Sequence, residues 1–273
     1  MRNRSAPDKL KAARLLTPIL WRGAIVVIVL FLVAPIIVVV IGSFSNQAYL
    51  VFPPRGFSLR WYGQFLGSRE FIGSTFVSLR LGALTMVIST ALGVLTAMGL
   101  VDRRSAVAEF VKALFAAPLM VPGIVIGIAM LFYFTRIRLG ATLTGLVIAH
   151  VTLTLPFVVR IVLAGLESLD RSVEEAARSL GASQLRAALT ITLPMIRGNV
   201  LSAAIFAFII SFDEVVVTLF LASPRLTTLP VRIYNYIEFT SDPSIAAIST
   251  ILVMASACVV LVVDRYVGFT RLI

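Results

Sequence analysis

Six blocks of this chain are apolar over runs longer than a water-soluble core requires, and that patterning constrains the fold more than any other feature. A stretch of about 18 or more residues with few charges reads as a bilayer-spanning helix. The blocks lie at roughly 24–43, 74–100, 110–134, 140–164, 199–222 and 245–264. The chain of 273 residues is 59% hydrophobic and 14% charged, whereas soluble domains run nearer half apolar and about a quarter charged. The expected fold class is an all-α integral membrane protein with six transmembrane helices.

A net charge of +11 would suggest nucleic acid as partner for a soluble protein. Here the basic residues mostly sit between apolar blocks, where lysine and arginine set membrane orientation. The partner they imply is the lipid bilayer, with no nucleic acid. Residues 1–22 carry Arg2, Arg4, Lys9, Lys11, Arg14 and Arg22. The run from Ala24 to Ile41 exceeds a signal-peptide core and lacks a small-residue cleavage site, so it reads as an uncleaved first helix behind a segment 1–23. With that segment inside, the inner side also holds Arg103, Arg104, Lys112, Arg160, Arg171, Arg178, Arg186, Arg197, Arg265 and Arg271. The outer side holds Arg55, Arg60, Arg69, Arg80, Arg136, Arg138, Arg225 and Arg232. Sixteen cations against eight put both termini in the cytoplasm, with a permeation domain over 24–264 and a tail over 265–273.

Two connections are longer than six packed helices need. The outer one, about 44–73, contains Phe57, Trp61, Tyr62 and Phe65, aromatics suited to a membrane–water interface. The inner one spans 165–198. Helix three carries Pro118, Pro122, Gly123 and Gly127, and helix four carries Pro156. The Gly123/Gly127 spacing permits close helix approach, and a proline at membrane depth frees carbonyls that need other partners. These residues fit either a flexible gate or ordinary kinked packing. The sequence has no visible internal repeat, whereas a secondary transporter often has two related halves.

The inner connection has its own local logic. Ser172 and Glu175 fit a capping box, which starts a helix. Glu174, Glu175, Ala176, Ala177 and Arg178 favour helix or suit a first turn. Gly181 fits the left-handed position that ends a helix. A second start follows at Ser183, and Pro194 marks its end. A helix of about two turns is too short to stand alone, so it packs on a cytoplasmic partner or folds back on its own membrane domain.

Glu175-Ala176-Ala177, three residues, Gly181, nine residues, then Ile191-Thr192-Leu193-Pro194 match the EAA motif of ABC-importer permeases. Gly56–Tyr62, His150–Phe157, Ser211–Thr218 and Thr228–Tyr234 are similar to the spermidine/putrescine-type branch, and within it to the C-type permease subunit. The resemblance covers nearly the whole chain. It implies the six-helix type I importer fold in a bacterial inner membrane, and a heterodimer with a second permease. Two copies of a nucleotide-binding ATPase, which bind ATP and Mg, and an extracytoplasmic solute-binding protein complete the assembly. The loop would be the coupling helix, with Glu174, Glu175, Ala176, Ala177, Leu180 and Gly181 docking in the ATPase.

A P-loop needs a lysine after its glycine-rich turn. Lys9, Lys11 and Lys112 follow no such run, so no cofactor or ATP site is expected in this chain and it is not expected to be an enzyme. One histidine and the single cysteine, Cys258, offer no His/Cys metal cluster and no catalytic constellation. Polar groups at membrane depth mark a pathway, because a central charge costs roughly 2.5–3.5 kcal/mol on insertion scales. Asp213 and Glu214 lie near the middle of helix five, about 100° apart on a continuous helix. They could offset a cationic substrate such as a polyamine, or be structural acids satisfied by Ser211, Thr218 or a partner subunit. His150, Ser211 and Thr218 are further pathway candidates, and a lone histidine there also commonly bonds a neighbouring helix. Glu238 and Asp242 fit a solvated outer loop, and Arg160 a snorkelling cation. The rival to an ABC permease is a proton-coupled secondary transporter using Asp213, Glu214 and His150. Within the ABC role, an opine or amino-acid-like solute is the alternative cargo.

Overall fold

The computed structural model describes residues 6–49, 51–101, 105–170, 172–240 and 242–267, with side chains for these except 6–20, 116, 119 and 259–267. Arg2, Arg4, Arg103, Arg104, Arg171 and Arg271, part of the orientation argument, lie outside the described residues. Among the described residues every regular element is helical, apart from one isolated bridge between Ser45 and Phe57.

Among the described residues three helices are long and apolar enough to cross a membrane, or four if one bent pair is a single span. The first, α1 (Ala6–Ser43), has an eighteen-residue apolar stretch with no buried residue, as a lipid-facing helix requires. After it come α2 (Arg60–Gly67) and α3 (Arg69–Leu100). The block at 110–134 is two helices, α4 (Ala106–Met120) and α5 (Gly123–Arg136), because Val121 is extended ahead of Pro122. The next is α6 (Leu143–Glu167), which runs unbroken through the buried Pro156. The connection over 165–198 holds α7 (Ser172–Ser179) and α8 (Gln184–Ala187).

Pro194 does not end that second helix. A π-helical turn, Ala188–Thr192, widens the spiral ahead of the proline ring, and the helix continues as α9 (Leu193–Met195). The chain then bends by 74° at Ile196 into α10 (Arg197–Asp213). The block at 199–222 is likewise interrupted, since Glu214 is extended and α11 (Val216–Leu221) starts afresh. The connection after it contains a helix the hydropathy blocks do not show, α12 (Leu229–Phe239), before α13 (Ser244–Val267).

The chain divides into two compact units: Met1–Gly67 with Thr240–Cys258, and Ser68–Phe239 with Val259–Ile273. In the first, Trp61 Nε1 donates to Ser45 O at 2.8 Å, Ser43 Oγ meets Tyr62 Oη at 2.6 Å, and Arg60 lies over the Trp61 ring. Trp61 and Phe65 are buried, so these two are core side chains instead of interface anchors, while Phe57 is exposed.

In the second unit α3, α6 and α10 pack on one another around two apolar clusters. One cluster joins Val158, Val162 and Leu166 of α6 to Ala97, Ala203 and Ala207. The other joins Leu81, Leu146, Phe134 and Val217. Gly127 brings α5 close to α11, as its spacing predicts: a Cβ there would lie 2.6 Å from Phe220 Cδ2 and 3.3 Å from Val217 Cα. Arg232 of α12 pairs with Glu70 of α3 at 3.1 Å, and Leu229 N donates to Ser78 Oγ at 2.7 Å.

Candidate functional site

Two places in the second unit carry the residues singled out by sequence. The first is the hairpin built on α7. Ser172 is its first residue and not its cap; Asp170 Oδ1 accepts the Ser172 N–H at 3.0 Å. Hydrogen bonds from Ser172, chiefly its backbone N–H and then its hydroxyl, hold the Asp170 carboxyl below the usual carboxylate range. The far end closes as expected. Gly181 has φ +92°, its N–H donates to Arg178 O at 3.0 Å, and Ala182 N donates to Ala177 O at 3.1 Å. That pair of bonds is the Schellman arrangement.

No residue of α7 is buried. Its two acids diverge. Glu174 is half-buried and its Oε2 accepts the Thr192 hydroxyl at 2.8 Å, strapping α7 to the π turn, while Glu175 is exposed. Leu180 stands 90% exposed at the helix end, and Leu185 of α8 is also exposed. A helix of this length does not hold itself in water without further packing.

The second place is the interruption between α10 and α11. Asp213 ends α10 and is exposed; Glu214 follows in extended conformation and is half-buried. The two acids therefore do not share a continuous helix. Glu214 Oε1 accepts the Val217 N–H at 2.8 Å and caps α11. No hydrogen bond or ion pair engages the Asp213 carboxylate among the described residues.

His150 is fully buried in α6, with Nδ1 2.8 Å from Ser211 Oγ and Nε2 2.9 Å from Thr218 Oγ1. The Thr218 hydroxyl donates to Glu214 O at 2.9 Å, so it accepts from His150 Nε2–H, and Ser211 donates to Nδ1. Thr154 donates to His150 O at 2.8 Å and meets Ser89 Oγ of α3 at 2.6 Å. Sequence reasoning named His150, Ser211 and Thr218 as pathway candidates; the structure brings them together, with Ser211 and Thr218 each bonded to the His150 ring. Ser89 and Thr154 carry no signal in the sequence, since they are single hydroxyl residues in two apolar blocks 65 residues apart. Arg160 and Glu238 are exposed, and Asp242 accepts the Ser244 N–H at 2.9 Å at the start of α13.

Residues 89–269 match the family described as Binding-protein-dependent transport system inner membrane component, and the chain belongs to it. It is 33% identical over 245 residues to the putrescine transport system permease protein PotI of Escherichia coli (strain K12), a match covering 86% of each chain. It is 30% identical over 239 residues to the spermidine/putrescine transport system permease protein PotC of the same organism, covering 88% of this chain and 90% of that one. Its fold is shared, with a TM-score of 0.75 at 18% identity over 97% of this chain and 99% of the other, by a chain of a bacterial ABC transporter involved in the import of the acidic polysaccharide alginate. The chain is thus an ABC-importer permease subunit and not an enzyme, and the gradient-driven alternative falls with that membership.

Proposed function

We propose that this permease forms half of the pathway for a small cationic solute, a polyamine or related amine, and that Asp213 is its contact. One observation carries the reading: adjacent carboxylates stand in opposite electrostatic settings. Glu214 lies at the N-terminal, positive end of α11 and is hydrogen-bonded there, which stabilises its charge. Asp213 lies at the C-terminal, negative end of α10, exposed, where a cation is favoured and a lone anion is not. The names of the two Escherichia coli relatives, which specify putrescine and spermidine, supply the chemical class.

In the same reading six helices cross a bacterial inner membrane with both termini in the cytoplasm, and a second permease completes the pathway. A binding protein delivers the solute from outside, as the family description implies. Two ATPase subunits, holding ATP and Mg, dock on α7 through Glu175, Ala176, Leu180 and Gly181. Ala177 and the inward-turned Glu174 support that helix from behind. ATP-driven closure of the ATPases pulls the two α7 helices together, and the membrane helices rock in response.

The test is putrescine uptake by the complete complex in liposomes, comparing Asp213→Asn with Glu214→Gln. Asp213→Asn is expected to lower uptake about tenfold or more at unchanged assembly, the scale of losing one charged hydrogen-bonding partner. Uptake by Asp213→Asn equal to wild type would overturn the assignment.

A further inference from the structure

The break between α10 and α11 needs an explanation that neither of its carboxylates provides. An apolar segment at membrane depth gains most by continuing its helix, because each freed backbone group otherwise lacks a partner. The sequence Asp213-Glu214-Val215-Val216 contains neither proline nor glycine to force a stop. Glu214 caps the new helix once it exists, but a cap can be formed only after the chain has already turned.

His150 supplies the missing constraint. Its ring touches α10 on one side of the break through Ser211 and α11 on the other through Thr218. Each ring nitrogen is used, one as acceptor and one as donor, and the Thr218 proton passes on to the Glu214 carbonyl. The ring's own position is held by α6, whose His150 carbonyl accepts from Thr154, itself bonded to Ser89 of α3. A chain of hydrogen bonds thus runs from α3 through α6 to both sides of the break. None of its members is exposed except through the Glu214 carboxyl end.

We infer that His150 is a positioning residue: it fixes the rotation and separation of the two half-helices, and so presents Asp213 at the end of α10. It does not touch the solute. The inference rests on the reading of Asp213 as the pathway contact for its importance, but its geometry stands on the bonds alone. It differs from a pathway histidine, which would keep one nitrogen open, and from a packing histidine, which any side chain of similar shape could replace.

The experiment uses the complete complex in a Cys258→Ser background, with a single cysteine introduced at position 213 and, as control, at the exposed position of Phe206 on the same helix. The probe is a cationic thiosulfonate, and its labelling rate is measured with wild-type His150, His150→Leu and His150→Gln. The Leu variant removes both bonds. The Gln variant keeps an amide donor where Nε2 stands, so the Thr218–Glu214 branch survives. Labelling at 213 is expected to fall about tenfold in the Leu variant, the scale on which an unmet buried polar group shifts a conformational equilibrium. It is expected to recover in the Gln variant, with the control at 206 unchanged throughout. Unchanged labelling at 213 in the Leu variant, an equal fall at 206, or no recovery with Gln would each overturn the inference. Asp213→Asn uptake is independent of all three, so a failure of the pathway reading is told apart from a failure of the positioning role.

Discussion

The chain interrupts its helices in two chemically different ways. After α7 the stop is closed by its own neighbours: Gly181 and Ala182 donate to carbonyls three and five residues back, and Asp170 holds the start. After α10 the stop is closed from far away, through a histidine 61 residues from one bonded partner and 68 from the other. The difference follows from solvent. An exposed helix end leaves its last groups to water, so a left-handed glycine suffices. The buried groups at the α10–α11 break, His150, Ser211 and Thr218, have no water to fall back on, and each must find protein. Local stops are therefore adjustable, and remote ones are rigid and shared between helices.

That contrast predicts unequal costs for chemically equal changes. Thr218→Val removes a hydroxyl that both accepts from His150 and donates to Glu214, leaving two buried groups short. A loss of about 1–3 kcal/mol is expected, read as a lower midpoint of thermal unfolding for the purified permease pair. Thr192→Val removes a hydroxyl bond of the same length class from the hairpin, but Glu174 is free to turn toward solvent. Its cost should stay near 0.5–1.5 kcal/mol. Equal losses from the two variants would erase the distinction between local and remote closure.

A smaller global effect but a sharp functional one is expected at Gly181. An alanine there places a Cβ in the left-handed region, about 1–2 kcal/mol uphill, although the space around it is open. Because α7 buries nothing, the penalty should appear as faster hydrogen exchange over 172–180 with no shift in global unfolding. Co-purification with the ATPase, and ATPase stimulation by loaded binding protein, should weaken together. A variant that exchanges faster yet couples normally would remove α7 from the coupling role.

How much of this was legible before the structure depended on the same contrast. Gly181 could be read because its role is local, and the Gly123/Gly127 approach because spacing alone sets it. The start of α7 falls one residue earlier than a Ser172 cap would put it, since Ser172 and Asp170 are both competent to hold a helix N-terminus. Hydropathy could not see the breaks: Val121 and Glu214 interrupt runs whose average composition stays apolar. Pro122 at least signals the first. The second has no local signal, because the residue responsible for it lies on another helix. Short amphipathic elements such as α2 and α12 were hidden for a further reason. Their order depends on Trp61–Ser45 and on Arg232–Glu70, contacts that no periodicity encodes.

The smallest expected effect is a pH dependence confined to the hairpin. Asp170 has its folded-state pKa lowered by the Ser172 bonds, so it lends stability that is fully present above the ordinary carboxylate range. That contribution fades as pH falls through the still lower folded value. Hydrogen-exchange protection at the first turn of α7 should therefore decline in acid relative to neutral pH, after correction for intrinsic exchange. The carboxyl is fully solvated, so the effect stays within that turn and leaves global unfolding untouched. Asp170→Asn should abolish the acid dependence while retaining an oxygen able to accept from Ser172. If the decline persisted in Asp170→Asn, another group would be closing the start of α7. The hairpin would then share the remote kind of closure found at the α10–α11 break.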